Sequence, residues 1–268
     1  MNVLTEFIVA MLWLAAVALL IPVLRRRSIY NDLASRTARL PTMGRQDLGA
    51  TMNGPLPDFG QRLATVPDFL PAATFAVVRA EAEKLVSPER SYIPTHKKGG
   101  TVAYETIIPN APALAALYQS RDMREFVSRL VGEPVMPTPL HDQSSLSVLC
   151  YDRPGDHIGW HFDHNFYRGR HFTVLLPLVN HGSGENGLSH ARLTAMVNGA
   201  ELDITTPPNK LVVFEGARVR HKVAPIIEGE RRMVVSMTFC ADPREGPWQG
   251  LARRVKDTAF FGVRALWT

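Results

Sequence analysis

Three side chains in this sequence have the types and spacing of a metal centre. His161 and Asp163 stand two residues apart in Trp160-His161-Phe162-Asp163. On a β-strand, positions two apart share a face, so the imidazole and the carboxylate would project together with Phe162 opposite. His221 lies far downstream at the head of His221-Lys222-Val223-Ala224-Pro225, a run with strand character. Two histidines and one carboxylate on one side of an ion leave its other side open, the donor set suited to non-haem Fe(II) and O2 chemistry. Such an ion has room for the 2-oxo acid end of 2-oxoglutarate and for O2. The far carboxylate of that co-substrate then needs a fixed cation. Arg231, after Glu228-Gly229-Glu230, can supply one, because a guanidinium grips a carboxylate through two parallel hydrogen bonds. Arg231 and Arg232 are adjacent and alternation lets only one point inward.

Elements must bring these residues together. From Ser144 onward the sequence breaks into short β-type runs at 145–151, 160–165, 172–179, 193–197, 211–215, 221–227 and 233–240. Turn residues separate them, among them Pro154-Gly155, Asn198-Gly199, Pro207-Pro208-Asn209 and Glu228-Gly229. Many short strands at even spacing after a helical lead-in predict a mainly β fold with flanking helices, a double-sheet jelly roll. The lead-in carries helical spacing over 72–86, 111–118 and 122–131. The stretch 91–109 reads as a loop and a strand, with His96-Lys97-Lys98-Gly99-Gly100 at the turn.

The region from Leu146 to Cys240 resembles the catalytic core of the Fe(II)/2-oxoglutarate-dependent dioxygenases, in particular the prolyl 4-hydroxylase-like branch. The matching residues are His161-x-Asp163, His221, Pro225 and Gly229-x-Arg231, and Gly169-Arg170-His171-Phe172-Thr173 resembles the start of the core strand that follows the metal half-site. The resemblance implies a double-stranded β-helix, Fe(II) held by His161, Asp163 and His221, and 2-oxoglutarate held by Arg231. Tyr151 sits where many members place a tyrosine that hydrogen-bonds the co-substrate. It implies O2 as oxidant, with ascorbate as reductant. Asp163 speaks against a halogenase of the same family, where a small residue frees that position for halide. The turn between Tyr151 and His161, residues 152–159, reads as a loop over the site mouth.

The remaining histidines carry weaker signals. His157, His164 and His171 flank the site as loop or outer residues, with His164 alternating away from the ligand face. His141, His181 and His190 lie near turns and are expected in solvent, and His96 is expected in a surface turn. Trp160 is expected in the core. Two cysteines, Cys150 and Cys240, at the ends of apolar runs read as reduced core thiols rather than a disulfide scaffold.

The 268 residues carry a net charge of +5 and 46% hydrophobic residues, so they can bury one sizeable core with extras. No long Lys/Arg cluster with interleaved aromatics marks a nucleic-acid groove, and no nucleic-acid partner is expected. Phe7 to Leu24 is uncharged and almost wholly apolar, and Arg25-Arg26-Arg27 follows at once. Eighteen helical residues span roughly 27 Å, close to the bilayer core. A cleaved signal peptide would carry its cations before the run and small residues after it. A single-span anchor fits better, and the positive-inside rule then places the catalytic region in the cytoplasm.

The expected organisation is an anchor at 1–27, a loop-rich linker at 28–71, a helical lead-in at 72–143, the dioxygenase core at 144–241 and a C-terminal amphipathic helix at 242–268. That helix either packs on the jelly roll or lies in the membrane interface. The functional expectation is hydroxylation of a small-molecule, lipid or membrane-associated substrate, coupled to decarboxylation of 2-oxoglutarate to succinate. A prolyl-type protein hydroxylase and a non-catalytic metal-binding jelly-roll sensor or scaffold are the alternatives.

Overall fold

A computed structural model describes residues 3–49, 54–85, 89–93 and 96–261. The chain opens with helix α1 (Val3–Thr37), followed by α2 (Arg45–Leu48), strand β1 (Leu63–Val66) and α3 (Ala72–Glu83). Strands β2 (Glu89–Ile93) and β3 (Lys97–Val102) form a hairpin. Helices α4 (Tyr104–Asn110), α5 (Pro112–Gln119) and α6 (Arg121–Val131) come next. The strand-rich part holds β4 (Met136–Pro137), β5 (Leu146–Tyr151), β6 (His157–His161), β7 (His171–His181), β8 (Leu193–Val197), β9 (Ala200–Ile204), β10 (Leu211–Phe214), β11 (His221–Val223) and β12 (Arg231–Cys240). Helix α7 (Pro247–Phe261) closes the described chain.

Local chemistry explains several boundaries. Ser120 caps α6 by accepting from the Met123 amide at 3.1 Å, and Gly132 ends it in the left-handed region at φ 77°. Pro112 begins α5, where its missing N–H costs nothing. Asn198 and Gly199, both at positive φ, make the tight turn from β8 into β9. The polar strand β9 that this turn implies was not expected from its composition.

Among the described residues the twelve strands form one curled antiparallel sheet in the order β1-β10-β7-β12-β5-β3-β6-β11-β8-β9, with β2 on β3 and β4 on β12. This agrees with the jelly roll expected. Strand β3 is the joint of the roll. Its Gly100–Val102 segment pairs with β5, and its Lys97 and Lys98 pair with β6. The expected turn at His96 to Gly100 is therefore mostly strand. Gly99, at φ 154°, lies against β5: a Cβ there would sit 3.3 Å from the Cys150 carbonyl oxygen. Tyr104–Asn110, expected as strand, is helix and packs into the core.

Each central strand has two apolar-to-polar registers. In β12, Met233, Val235, Met237 and Phe239 face the helical layer, where they join Val78, Leu114, Leu117, Phe126 and Val127. The alternate residues Arg232, Val234, Ser236 and Thr238 line a cavity inside the roll. The same split puts Leu146, Val148 and Cys150 outward and Ser147, Leu149 and Tyr151 inward on β5. Both cysteines are free and buried.

Helix α1 does not break at Arg27 but continues to Thr37, into the stretch expected as linker. Leu33 is buried against the domain and Tyr30 meets the His141 ring at 6.4 Å. Most side chains of the apolar run at 7–22 lie outside the described residues. Among the described residues no helix is long and apolar enough to cross a membrane. Helix α7 packs on the roll through Gly250, Arg253, Asp257 and Phe261, while Trp248, Leu251 and Val255 remain exposed.

Candidate metal centre and co-substrate pocket

His161 ends β6, and its register partner across the antiparallel pair is His221 at the start of β11. The two rings lie 4.1 Å apart. Asp163 follows β6 and is fixed by its own amide, which donates to the Gly216 carbonyl at 3.0 Å. The Asp163 Oδ1 atom lies 3.5 Å from His161 Nε2 and 3.8 Å from His221 Nε2. The structure thus brings the three predicted ligands together, one donor atom from each falling within 4.8 Å of the others.

The outer contacts aim these donors. His161 Nδ1 faces the Gly159 carbonyl at 2.8 Å, and His221 Nδ1 faces the Val219 carbonyl at 3.0 Å. A carbonyl only accepts, so each Nδ1 carries the proton and each Nε2 keeps its lone pair for a metal. Thr173 of β7 donates to Asp163 Oδ2 at 2.5 Å, leaving Oδ1 toward the histidines. Gly216 makes room for this: a Cβ there would stand 2.6 Å from Asp163 Oδ2 and 2.7 Å from the Thr173 hydroxyl.

The electrostatics follow. Burial alone would raise the Asp163 carboxyl, but His221, His161 and the Thr173 hydroxyl hold it well below the usual carboxylate range. Burial lowers His161, yet the Asp163 carboxylate beside it outweighs that and the imidazole sits above its usual value. His221 is lowered, by burial first. An ionised carboxylate and two imidazoles with free Nε2 atoms suit a divalent cation.

A cavity of about 150 Å³ opens beside the triad. At one end Tyr151 and Arg232 are register partners on β5 and β12. The Arg232 guanidinium lies 5.3 Å from the centre of the Tyr151 ring. Arg232 is 1% exposed, and Tyr151 Oη, Arg232 Nε and Arg232 Nη2 have no hydrogen-bond partner among the described residues. Buried donors of that kind are costly unless a ligand completes them. A bidentate carboxylate matches the free edge of the guanidinium. The residues therefore fit Fe(II) and 2-oxoglutarate together.

This corrects the choice between the two arginines. Arg231 points to the helical side, where its Nη1 lies 3.5 Å from Glu83 of α3 and its side chain is 48% exposed. Strand phase decides the matter: Arg232 shares its face with Ser236 and Thr238, Arg231 with Met233 and Val235. Glu230 sets that phase. It is buried before β12 and accepts from the amides of Ile227, Ser183 and His190 and from His190 Nδ1.

Other expectations also change. His96 is half-buried in the cavity wall, its ring edge-on to His161 at 5.3 Å, not in a surface turn. His164 also lines the cavity, because β6 ends at His161 and its alternation does not extend that far. His171 is buried there, with Nδ1 lacking a partner among the described residues. His190 is exposed, as expected, and also bonds Glu230. Trp160 is half-buried and lies between Arg220 and Lys222 outside the core. Of the turn expected over the mouth, only Ile158 lines the cavity. Asp156 folds the rest back by accepting from the amides of residues 152 and 153 and pairing with Arg90 at 2.6 Å.

Residues 146–239 match the family model described as the 2OG-Fe(II) oxygenase superfamily. The strand-rich core is thus that of a 2OG-Fe(II) oxygenase. The protein is an oxidoreductase of the kind that uses Fe(II) and 2-oxoglutarate. Residues 59–191 of the oxygenase also match a model described as Halogenase D. No curated protein matches it.

Solved structures share its fold. The non-heme alpha-ketoglutarate-dependent epimerase SnoN from nogalamycin biosynthesis is 15% identical, with a TM-score of 0.56, covering 67% of this chain and 76% of its own. A 2OG-Fe(II) oxygenase-family oxidoreductase from Burkholderia pseudomallei is also 15% identical, with a TM-score of 0.55 and coverage of 78% and 97%. A prolyl hydroxylase from Trichoplax adhaerens, in complex with a hypoxia inducible factor peptide, is 17% identical, with a TM-score of 0.53 and coverage of 68% and 84%.

Proposed function

We propose that this oxygenase hydroxylates a hydrophobic, membrane-associated substrate from the cytoplasmic side of a membrane. Asp163 is the observation that carries hydroxylation. A carboxylate beside His161 and His221 fills the place a halide would need, whatever the resemblance to a halogenase model over the first part of the core. Bound Fe(II) with 2-oxoglutarate supplies the oxidising chemistry, releasing succinate and CO2.

The protein's part is binding, orientation and shielding. His161, Asp163 and His221 would hold the metal by one face. Arg232 and Tyr151 would hold the far carboxylate of the co-substrate. Thr173 and the Gly159 and Val219 carbonyls keep the ligand atoms aimed. Ile158, Phe162, Phe260 and Phe261 give the cavity an apolar wall that favours a hydrophobic substrate and limits water.

The membrane assignment is supported by α1. Met11, Trp13, Ile21, Val23 and Leu24 are exposed along it, and Arg25-Arg26-Arg27 follows. A long helix displaying such residues needs an apolar cover, and a bilayer supplies one. Comparison of lipid extracts from cells with and without the gene tests the whole reading. A species heavier by one oxygen, formed only with intact His161 and accompanied by succinate, is the expected result. Hydroxylated protein side chains with an unchanged lipid profile would favour the prolyl-type alternative instead.

A further inference from the structure

Lys97 of β3 is a buried cation that the metal and co-substrate sites leave unused. It is 3% exposed and lines the same cavity as His161 and Phe162. Its ammonium donates to the Thr101 hydroxyl at 2.5 Å and lies 4.9 Å from the centre of the Phe260 ring. Among the described residues no carboxylate pairs with it. A buried ammonium without a counter-charge is costly, so such groups are normally paired.

The other cations on the cavity wall are accounted for. Lys256 of α7 bonds Asp257 at 2.7 Å and Ser144 at 2.5 Å, and lies 3.7 Å from Asp142. Arg232 faces the co-substrate end. The carboxylates are also committed, Asp163 to the triad and Asp142 to Lys256 and the Tyr167 hydroxyl. Once the metal and 2-oxoglutarate are seated, Lys97 is the remaining unmatched charge on the described wall.

Its contacts lie toward α7. The Lys97 side chain runs along β3 past Gly99 to Thr101 and reaches α7 at Phe260. The charge of Lys256 on the same helix acts on it. The ammonium thus stands on the α7 side of the cavity, next to the apolar wall of Phe162 and Phe260.

We propose that Lys97 anchors the substrate, holding an anionic carboxylate or phosphate group beside His161 and beneath Phe260. This rests on the oxygenase assignment and narrows the substrate to a molecule with an apolar part and an acidic group. Butyrate, butyl phosphate and 1-butanol serve as probes of the full-length protein in detergent, loaded with Mn(II) and saturated with 2-oxoglutarate without O2. Paramagnetic broadening of the probe's methyl resonance reports both affinity and nearness to the metal.

One or both anions should bind at least about tenfold more tightly than 1-butanol, and the preferred anion tells carboxylate from phosphate. Lys97→Met should lose at least about tenfold in that affinity while keeping its affinity for 2-oxoglutarate, and Lys97→Arg should retain it. Equal binding of butanol, undiminished binding by Lys97→Met, or no broadening by either anion overturns the proposal. Loss of 2-oxoglutarate affinity in Lys97→Met would move Lys97 to the co-substrate and overturn it as well. If Lys97→Met does not fold, the butanol comparison on the wild type and Lys97→Arg still decides. Failure of the wild type to bind Mn(II) and 2-oxoglutarate would strike the oxygenase assignment beneath it instead.

Discussion

Arg253 and Lys97 are both buried, 1% and 3% exposed, yet their surroundings are opposite. Arg253 on α7 donates to Glu245 at 2.8 Å, to the His141 carbonyl at 2.7 Å and to Asp257 at 3.1 Å. Lys256, Asp142 and the Tyr167 hydroxyl extend this into a network in which each charge meets an opposite one or a hydrogen bond. Among the described residues Lys97 has one hydrogen-bond partner, a neutral one, and Arg232 has a tyrosine ring and two unpaired nitrogens. A paired buried charge holds the fold together. An unpaired one lining a cavity is a place kept for a ligand, and its cost is met by the rest of the structure. The α7 network seals one side of the cavity with satisfied groups, while the inner wall presents unsatisfied ones to whatever enters.

The largest effect belongs to the triad. Asp163→Ala should lower Mn(II) affinity by more than about a hundredfold and abolish succinate formation, since it removes a ligand outright. Thr173→Val, which removes only the hydroxyl aiming Asp163, should cost about 10- to 100-fold in metal affinity. Equal metal affinity in all three proteins, measured by calorimetry, would break the assignment of a metal centre.

The two adjacent arginines sharpen the contrast between paired and unpaired groups. Arg232→Met should raise the KM for 2-oxoglutarate on the order of a hundredfold, because a desolvated carboxylate loses its partner. Arg231→Met should leave that KM unchanged and shift stability by less than about 1 kcal/mol, the scale of an exposed ion pair with Glu83. The reverse pattern would restore Arg231 as the co-substrate cation.

How far the sequence disclosed this site depended on the kind of signal. The ligands were legible because His161-x-Asp163 has strand parity and His221 heads a strand. For the arginine two signals conflict: motif spacing points to Arg231 and strand phase to Arg232. The alternation Met233, Val235, Met237, Phe239 against Ser236, Thr238 already put Arg232 with the polar set. That set faces inward here because the roll encloses a polar cavity and the helices cover the apolar face. Lys97 was hidden by its neighbours: two glycines after two lysines resemble a turn, yet they let β3 lie close against β5 and join the two parts of the roll. Gly216 gave no signal at all. The need for it arises from the approach of Asp163 and Thr173, which only the folded chain brings together. The β-rich jelly roll was legible from turn spacing, while the polar strand β9 followed from Asn198-Gly199 and not from hydrophobicity.

On the paired side of the comparison, Arg253→Met should destabilise the protein by about 3–5 kcal/mol in urea unfolding, because it takes the buried guanidinium from Glu245 and leaves Asp257 to Lys256 alone. A loss below about 1 kcal/mol would mean that the network is ornamental and that α7 is held by Phe261 and Gly250 alone.

On the unpaired side the sign reverses. Burial pulls the Lys97 ammonium from the ordinary 10.5 down to about 7, with Lys256 adding to the fall. The folded state therefore binds this proton less readily than the unfolded chain does. The resulting penalty is fully present below about pH 7, shrinks as pH rises, and is gone above the ordinary lysine value. Lys97→Met, similar in length and without charge, should stabilise the ligand-free protein by up to about 3 kcal/mol at pH 6–7 and by little near pH 10.5. Unfolding of both proteins across that range measures it. A destabilised variant at pH 7 would mean that Lys97 already has its counter-charge in the folded chain. A stabilised variant that has also lost butyrate binding would show stability given up for a ligand, the opposite of what the paired network does across the cavity.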